Sequence, residues 1–116
     1  MKAYFLLGLP HAEIIIQNTK VEAILDTGFN GAILLPANII DNLKLKKIGF
    51  AEYVMADGAI SMSEIFSGEI EWFNNRKKVS IIASESDLAL VGMELLFETK
   101  LLIRPSKNII EIDIDN

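Results

Sequence analysis

The chain has 116 residues, enough for one domain with a modest core. Hydrophobic residues make up 51% and charged residues 23%, which argues for a folded globular chain and against disorder, and the net charge of -5 argues against nucleic acid as a partner. With no cysteine there is no disulfide framework and no thiolate chemistry, which fits a reducing, cytoplasmic setting.

Residues 2–9 and 13–17 are rich in aromatic and β-branched side chains and read as strands. The apolar run after Lys2 is too short for a secretion signal and lacks a small-residue cleavage site. No apolar stretch approaches membrane-spanning length, so no membrane partner is expected. Gln17-Asn18-Thr19-Lys20 is a polar turn, 21–25 a strand, and 33–35 a second apolar run that stops at Pro36. Proline suits a first helical position, and Ile39, Ile40 and Leu43 share one face, so 36–43 is predicted to be a short helix.

Residues 48–55 read as a strand, Asp57-Gly58 as a two-residue hairpin turn with both positions at positive φ, and 59–66 as the returning strand. Glu69-Ile70-Glu71-Trp72 alternates as a half-exposed strand, with Trp72 and Phe73 either core or a contact patch. A turn at 73–76, a strand at 79–83 and a loop at 84–87 follow. Residues 88–91 are continuously apolar and read as a fully buried strand. A short helix at 93–97, a strand at 99–104, a turn at 105–108 and a strand at 109–114 complete the chain. Many short strands with two short helices indicate a single all-β domain over residues 1–116, built as a barrel.

The stretch Ala23-Ile24-Leu25-Asp26-Thr27-Gly28-Phe29-Asn30-Gly31-Ala32 carries the chemistry. Its apolar flanks draw Asp26 inward, and an ionised carboxylate in a dry place is costly unless something uses it. Gly28 lets the backbone turn or approach closely, and Thr27 supplies a short hydroxyl that can bond to backbone. Taken alone, Asp-Thr-Gly is a strand-end turn. Here it is followed by Leu88-Ala89-Leu90-Val91-Gly92, and Met55-Ala56-Asp57-Gly58-Ala59 lies between the two.

Across residues 21–96 these motifs resemble the retropepsin-like aspartic proteases, which include the retroviral enzymes. The resemblance implies a closed acid-protease-like barrel with one or two short helices. It also implies a homodimer that acts as an aspartic endopeptidase on peptide or protein substrates, with no cofactor and no metal. Asp26, Thr27 and Gly28 correspond to the catalytic motif, Asp26 supplying one carboxylate of a pair and Thr27 bonding across the dimer axis. Phe29 and Asn30 would contact substrate from the floor, and Met55, Ala56, Asp57 and Gly58 from a flap. Val91 and Gly92 would support the site from beneath, and terminal strands often pair between subunits in this family. Two carboxylates held close share one proton, so one acts as base and the other as acid, as is known for aspartic proteases.

Two departures from the retroviral pattern agree with each other. Asn30 stands where an aspartate is frequent, and Met93 replaces the arginine that pairs with it, so no buried charge is stranded. The competing readings are a non-catalytic dimeric module that binds extended peptide between flap and floor, and a scaffolding partner that uses the barrel edge. His11, the only histidine, reads as a surface loop residue and not a metal ligand. Ser61 and Ser63 lack a histidine at triad spacing, and Arg76-Lys77-Lys78 reads as a solvated turn.

Overall fold

The computed structural model describes residues 1–54 and 56–116. It is a mostly β single domain. The elements in chain order are β1 (Ala3–Leu6), β2 (Leu9–Ile16), β3 (Thr19–Leu25), β4 (Ile33–Pro36), α1 (Ala37–Leu43), β5 (Lys46–Val54), β6 (Ile60–Trp72), β7 (Asn75–Ser84), β8 (Leu90–Val91), α2 (Met93–Leu96), β9 (Thr99–Arg104) and β10 (Ile109–Ile114).

Three tight turns set the register of the N-terminal and central strands. Leu7-Gly8, Gln17-Asn18 and Phe73-Asn74 all have positive φ at both positions. Each joins strands whose closing pairs are Leu6↔Leu9, Ile16↔Thr19 and Trp72↔Asn75. Two-residue loops of this kind match the twist of the flanking strands, which outweighs the cost of placing leucine, glutamine or phenylalanine in the left-handed region. The strand expected at 2–9 is therefore two strands, broken at Leu7-Gly8. The strands expected at 59–66 and 69–72 are instead one continuous β6.

The main sheet has the order β1-β2-β3-β8-β4-β7-β6-β5. β2 also pairs with β6 through Ile15↔Glu71 and Ile16↔Ile70, so β2, β3, β8, β4, β7 and β6 form a continuous ring of pairings. Inside it lie Ile14, Ile16, Ile33, Leu35, Ile70, Ile81 and Val91, all fully buried. Trp72 is buried with them and meets Phe73 edge-on at 5.1 Å, which places it in the core. Pro36 is the N-cap of α1, which turns Ile40 into the core and ends at Lys44 in the left-handed conformation. Leu88 is 53% exposed, so only Leu90 and Val91 of the apolar run become strand.

β9 and β10 form a separate antiparallel hairpin, with Ile112 opposite Leu101. Ile112 is buried in the chain's own core, and Ile110 and Leu101 pack against it. The last strand therefore completes the domain that contains it.

His11 is not a loop residue. It lies in β2 between Tyr4 and Ile24 and is only 8% exposed. Its Nδ1 donates to the Leu9 carbonyl at 2.9 Å, and its ring lies parallel to that of Tyr4. The Tyr4 hydroxyl donates to the Glu22 carboxylate. Burial first, and then the Glu22 hydrogen bond and the Glu22 and Glu13 charges, push the phenol up to about 12. The fold thus prefers the neutral phenol. That contribution to stability is complete below the ordinary tyrosine value of 10.0 and is lost as pH rises through about 12. Ultraviolet titration should show Tyr4 ionising late, near pH 12, and earlier in Glu22→Gln, with the late phase lost in Tyr4→Phe. Tyr4 ionising at the ordinary value would contradict this contact.

Candidate active site

The site is built where the chain crosses over one of its own strands. β8 lies between β3, parallel to it through Ile24↔Leu90 and Leu25↔Val91, and β4, antiparallel through Ile33↔Val91 and Leu34↔Leu90. A chain leaving β3 at Leu25 must pass the end of β8 before it can return as β4. Residues 26–32 make that passage. Backbone bonds tie them to β8 and α2: Asp26 N–H donates to Val91 O at 2.9 Å and Gly92 N–H to Ala32 O at 2.9 Å. Met93 N–H donates to Phe29 O at 2.7 Å and Glu94 N–H to Gly31 O at 3.2 Å.

Within the crossing, Gly28 N–H donates to Asp26 Oδ1 at 2.8 Å, and Phe29 N–H to the Asp26 carbonyl at 3.2 Å. This closed turn orients the half-buried Asp26 carboxylate through the Gly28 N–H, its one hydrogen-bond donor among the described residues. Phe29 is 5% exposed, and its ring lies over Gly31 and Gly92. A Cβ on Gly92 would stand 2.6 Å from the Phe29 carbonyl oxygen, with the Gly31 carbonyl and the Phe29 ring nearer still. No side chain fits there without moving backbone. Thr27 and Asn30 are exposed, and the Thr27 hydroxyl has no hydrogen-bond partner among the described residues.

A cavity of about 260 Å³ opens beside the carboxylate. Asp26, Gly28, Phe29, Leu34 and Leu90 form its floor, Val54 and Ala56 its opposite wall, and Ser84 and Ser86 its end. The opposite wall belongs to the long β5–β6 hairpin. Along β6, Gly68, Ile70 and Trp72 turn into the core, so alternation puts Phe66, Glu64, Met62 and Ile60 on the same face. Their partners across the hairpin include Phe50 and Val54. The apolar residues Phe50, Val54, Ile60 and Met62 thus share the face that continues the core side, yet all four are exposed. A bulge between Lys47 and Gly49 keeps Phe50 on that face.

The tip of this hairpin differs from the expected two-residue turn. β5 ends at Val54 and β6 starts at Ile60, and of Asp57 and Gly58 only Gly58 has positive φ. The Asp57 carboxylate accepts the Ala59 N–H at 2.9 Å, a side-chain turn that takes the place of the tighter one. The expectation for Met55 lies outside the described residues.

Of the residues singled out in the sequence, Asp26, Gly28, Phe29 and Ala56 meet at the cavity. Val91 and Gly92 lie directly beneath the crossing. Thr27, Asn30, Asp57 and Gly58 do not line this cavity. Leu34, Val54, Leu90, Ser84 and Ser86 do line it and were not foreseen as site residues. Leu34 carried only the signal of a core strand, Leu90 belonged to the motif ending at Gly92 without being singled out as a site residue, and the two serines carried only the signal of a loop. Met93 lies half-buried against the core where the retroviral arginine would be.

No family model matches the sequence, and no curated protein matches it. Solved structures do. The EIAV protease complexed with the inhibitor HBY-793 superposes with a TM-score of 0.68 at 19% identity, over 81% of this chain and 90% of that one. A retropepsin-like aspartic protease from Rickettsia conorii gives 0.66 at 22% identity, over 93% and 84%. The simian foamy virus (mac) protease gives 0.55 at 16% identity, over 74% and 90%. The chain has a retropepsin-like fold.

The crossing yields a direct test. Gly92→Ala should destabilise the chain by about 3 kcal/mol, at the upper end of overpacking costs, because the obstructing atoms are main-chain oxygens. Gly28→Ala should cost less, since its Cβ would meet only Asp26 Oδ1, at 3.2 Å. Urea denaturation of both variants checks the order; equal losses would contradict the crossing geometry.

Proposed function

We propose that this chain is an aspartic endopeptidase that works as a homodimer, with one Asp26 carboxylate supplied by each copy. The observation that carries the reading is the placement of Asp26. On a retropepsin-like fold, its carboxylate is held by Gly28 N–H in the wall of a cavity roofed by a long hairpin. The ring of pairings through β2, β3, β8, β4, β7 and β6 is read as the closed barrel of that fold.

One chain offers a single such carboxylate, and one carboxylate cannot be both base and acid in the same step. A twofold axis through the crossing brings the second. The pair then holds one proton between its two side chains. The ionised partner removes a proton from water as the water oxygen bonds to the peptide carbon. The protonated partner gives its proton to the carbonyl oxygen. Return of a proton to the peptide nitrogen lets the C–N bond break, leaving a carboxylic acid and an amine.

The remaining residues take supporting roles. Thr27, exposed in the single chain, bonds across the axis and locks the two crossings together. Gly28 and Asn30 offer main-chain and amide groups to an extended peptide, and Phe29 forms the floor. The hairpin carrying Met55, Ala56, Asp57 and Gly58 closes over the substrate and excludes water. Its exposed apolar residues supply the covering surface. Val91 and Gly92 hold Asp26 from below. A reducing, cytoplasmic setting belongs to the same proposal, and the cysteine-free sequence is compatible with it.

Asp26→Asn keeps the shape of the side chain and removes its proton chemistry. Hydrolysis of a mixed peptide pool should fall by about a thousandfold or more, with far-ultraviolet circular dichroism unchanged. Wild-type rates should trace a bell against pH, governed by two macroscopic values that belong to the pair. Cleavage that survives in clean Asp26→Asn protein sinks the assignment. Peptide binding by a wild type that cleaves nothing would mark a non-catalytic dimeric module.

A further inference from the structure

The cavity beside Asp26 ends in two hydroxyls that the catalytic reading does not use. Ser84 Oγ and Ser86 Oγ share a hydrogen bond of 3.0 Å. Ser86 N–H donates to Ser84 Oγ at 3.0 Å, and Leu88 N–H donates to Ser86 Oγ at 3.2 Å. The two hydroxyls carry two protons, and their shared bond uses one. Whichever serine donates in that bond, the pair has a proton left to give. Of the four lone pairs on the two oxygens, three are engaged by two backbone N–H groups and the shared bond, so one acceptor site also remains, on the serine that donates. The serine pair can therefore give one proton and accept one.

The cavity that holds these hydroxyls and the carboxylate is lined also by Phe29, Leu34, Leu90 and Val54, which favour an apolar body. The Asp26 carboxylate in the same cavity opposes an anionic occupant. A purely apolar side chain would strip water from the serine pair and return nothing to it. We propose that this cavity receives the substrate side chain next to the scissile bond and selects a neutral one with an apolar body and a hydrogen-bonding tip, tyrosine above phenylalanine. The proposal rests on the endopeptidase reading for the word scissile. The selection itself depends only on the cavity.

The test uses uncleavable ligands, so it is independent of turnover. Two pools of short peptides carry a methylene-amine in place of one amide. They differ only in having tyrosine or phenylalanine on both sides of it. Fluorescence polarisation should show the tyrosine pool binding wild-type protein about three- to tenfold more tightly, the range of one hydrogen bond. In Ser84→Ala/Ser86→Ala the ratio should fall to about one. Ser86→Thr, which keeps a hydroxyl, should preserve the preference. If circular dichroism shows the double variant unfolded, the wild-type ratio decides by itself. Equal or tighter binding of the phenylalanine pool, a ratio unchanged in a folded double variant, or no binding of either pool overturns the proposal. Intact tyrosine preference in a protein that hydrolyses nothing would sink the endopeptidase reading and leave the pocket standing.

Discussion

The structure depends on the close approach at Gly92. Because β8 is inserted between β3 and β4, the segment joining those two strands has to run across the end of β8, main chain against main chain. The space left is too small for any side chain at residue 92. What fills the crossing is backbone hydrogen bonding, from Asp26 to Val91, Gly92 to Ala32, Met93 to Phe29 and Glu94 to Gly31. The Phe29 ring closes the gap that the two glycines leave. Asp26 consequently sits on a braced knot, and its direction is fixed by Gly28 N–H, with no side-chain partner among the described residues. Placing a reactive group on such a support is how a site holds its geometry without help from substrate.

The opposite wall follows a different logic. Beyond the core, the β5–β6 hairpin is held chiefly by its own cross-strand pairs, and its apolar face is uncovered. A two-stranded ribbon with little beneath it belongs to the low-stability end of a fold, where elements that move are found. In the proposed enzyme, a rigid floor facing a loosely held apolar roof would grip an extended chain of varied sequence. Main-chain groups can set its register while apolar contacts hold it.

Much of this was legible in the sequence, for definable reasons. The strands at 99–104 and 109–114 appear in the structure with those limits, because Ile110, Ile112 and Ile114 alternate with charged residues and a proline turn separates the pair. Asp26-Thr27-Gly28 and Gly92 were legible through the resemblance their motifs carry, and at Gly92 the structure supplies the reason, since no Cβ fits there. Leu7-Gly8 was missed because its turn places a leucine at positive φ and leaves the apolar run unbroken in letters. Ser67-Gly68 read as a break, yet Gly68 lies inside β6. It is there to make room for the Ile81 methyl, at 2.5 Å from any added Cβ. His11 read as a surface loop residue, whereas it lies in β2, Leu9 O satisfies Nδ1 and the Tyr4 ring lies parallel to its own. Ser84, Ser86, Leu34 and Leu90 converge only through the β4–β7 and β4–β8 pairings, and no local pattern announces a cavity of that kind.

The central claim is that each working site takes one Asp26 from each of two chains. Mixing addresses it most directly. Wild-type and Asp26→Asn chains are unfolded, combined and refolded together, and activity is measured per wild-type chain. With random pairing the account predicts that activity per wild-type chain halves at equal amounts and falls to about a tenth at ninefold excess of the variant, since mixed pairs hold one carboxylate only. Activity per wild-type chain that stays constant as the variant is added would contradict it, and would mean that a single chain carries the whole site.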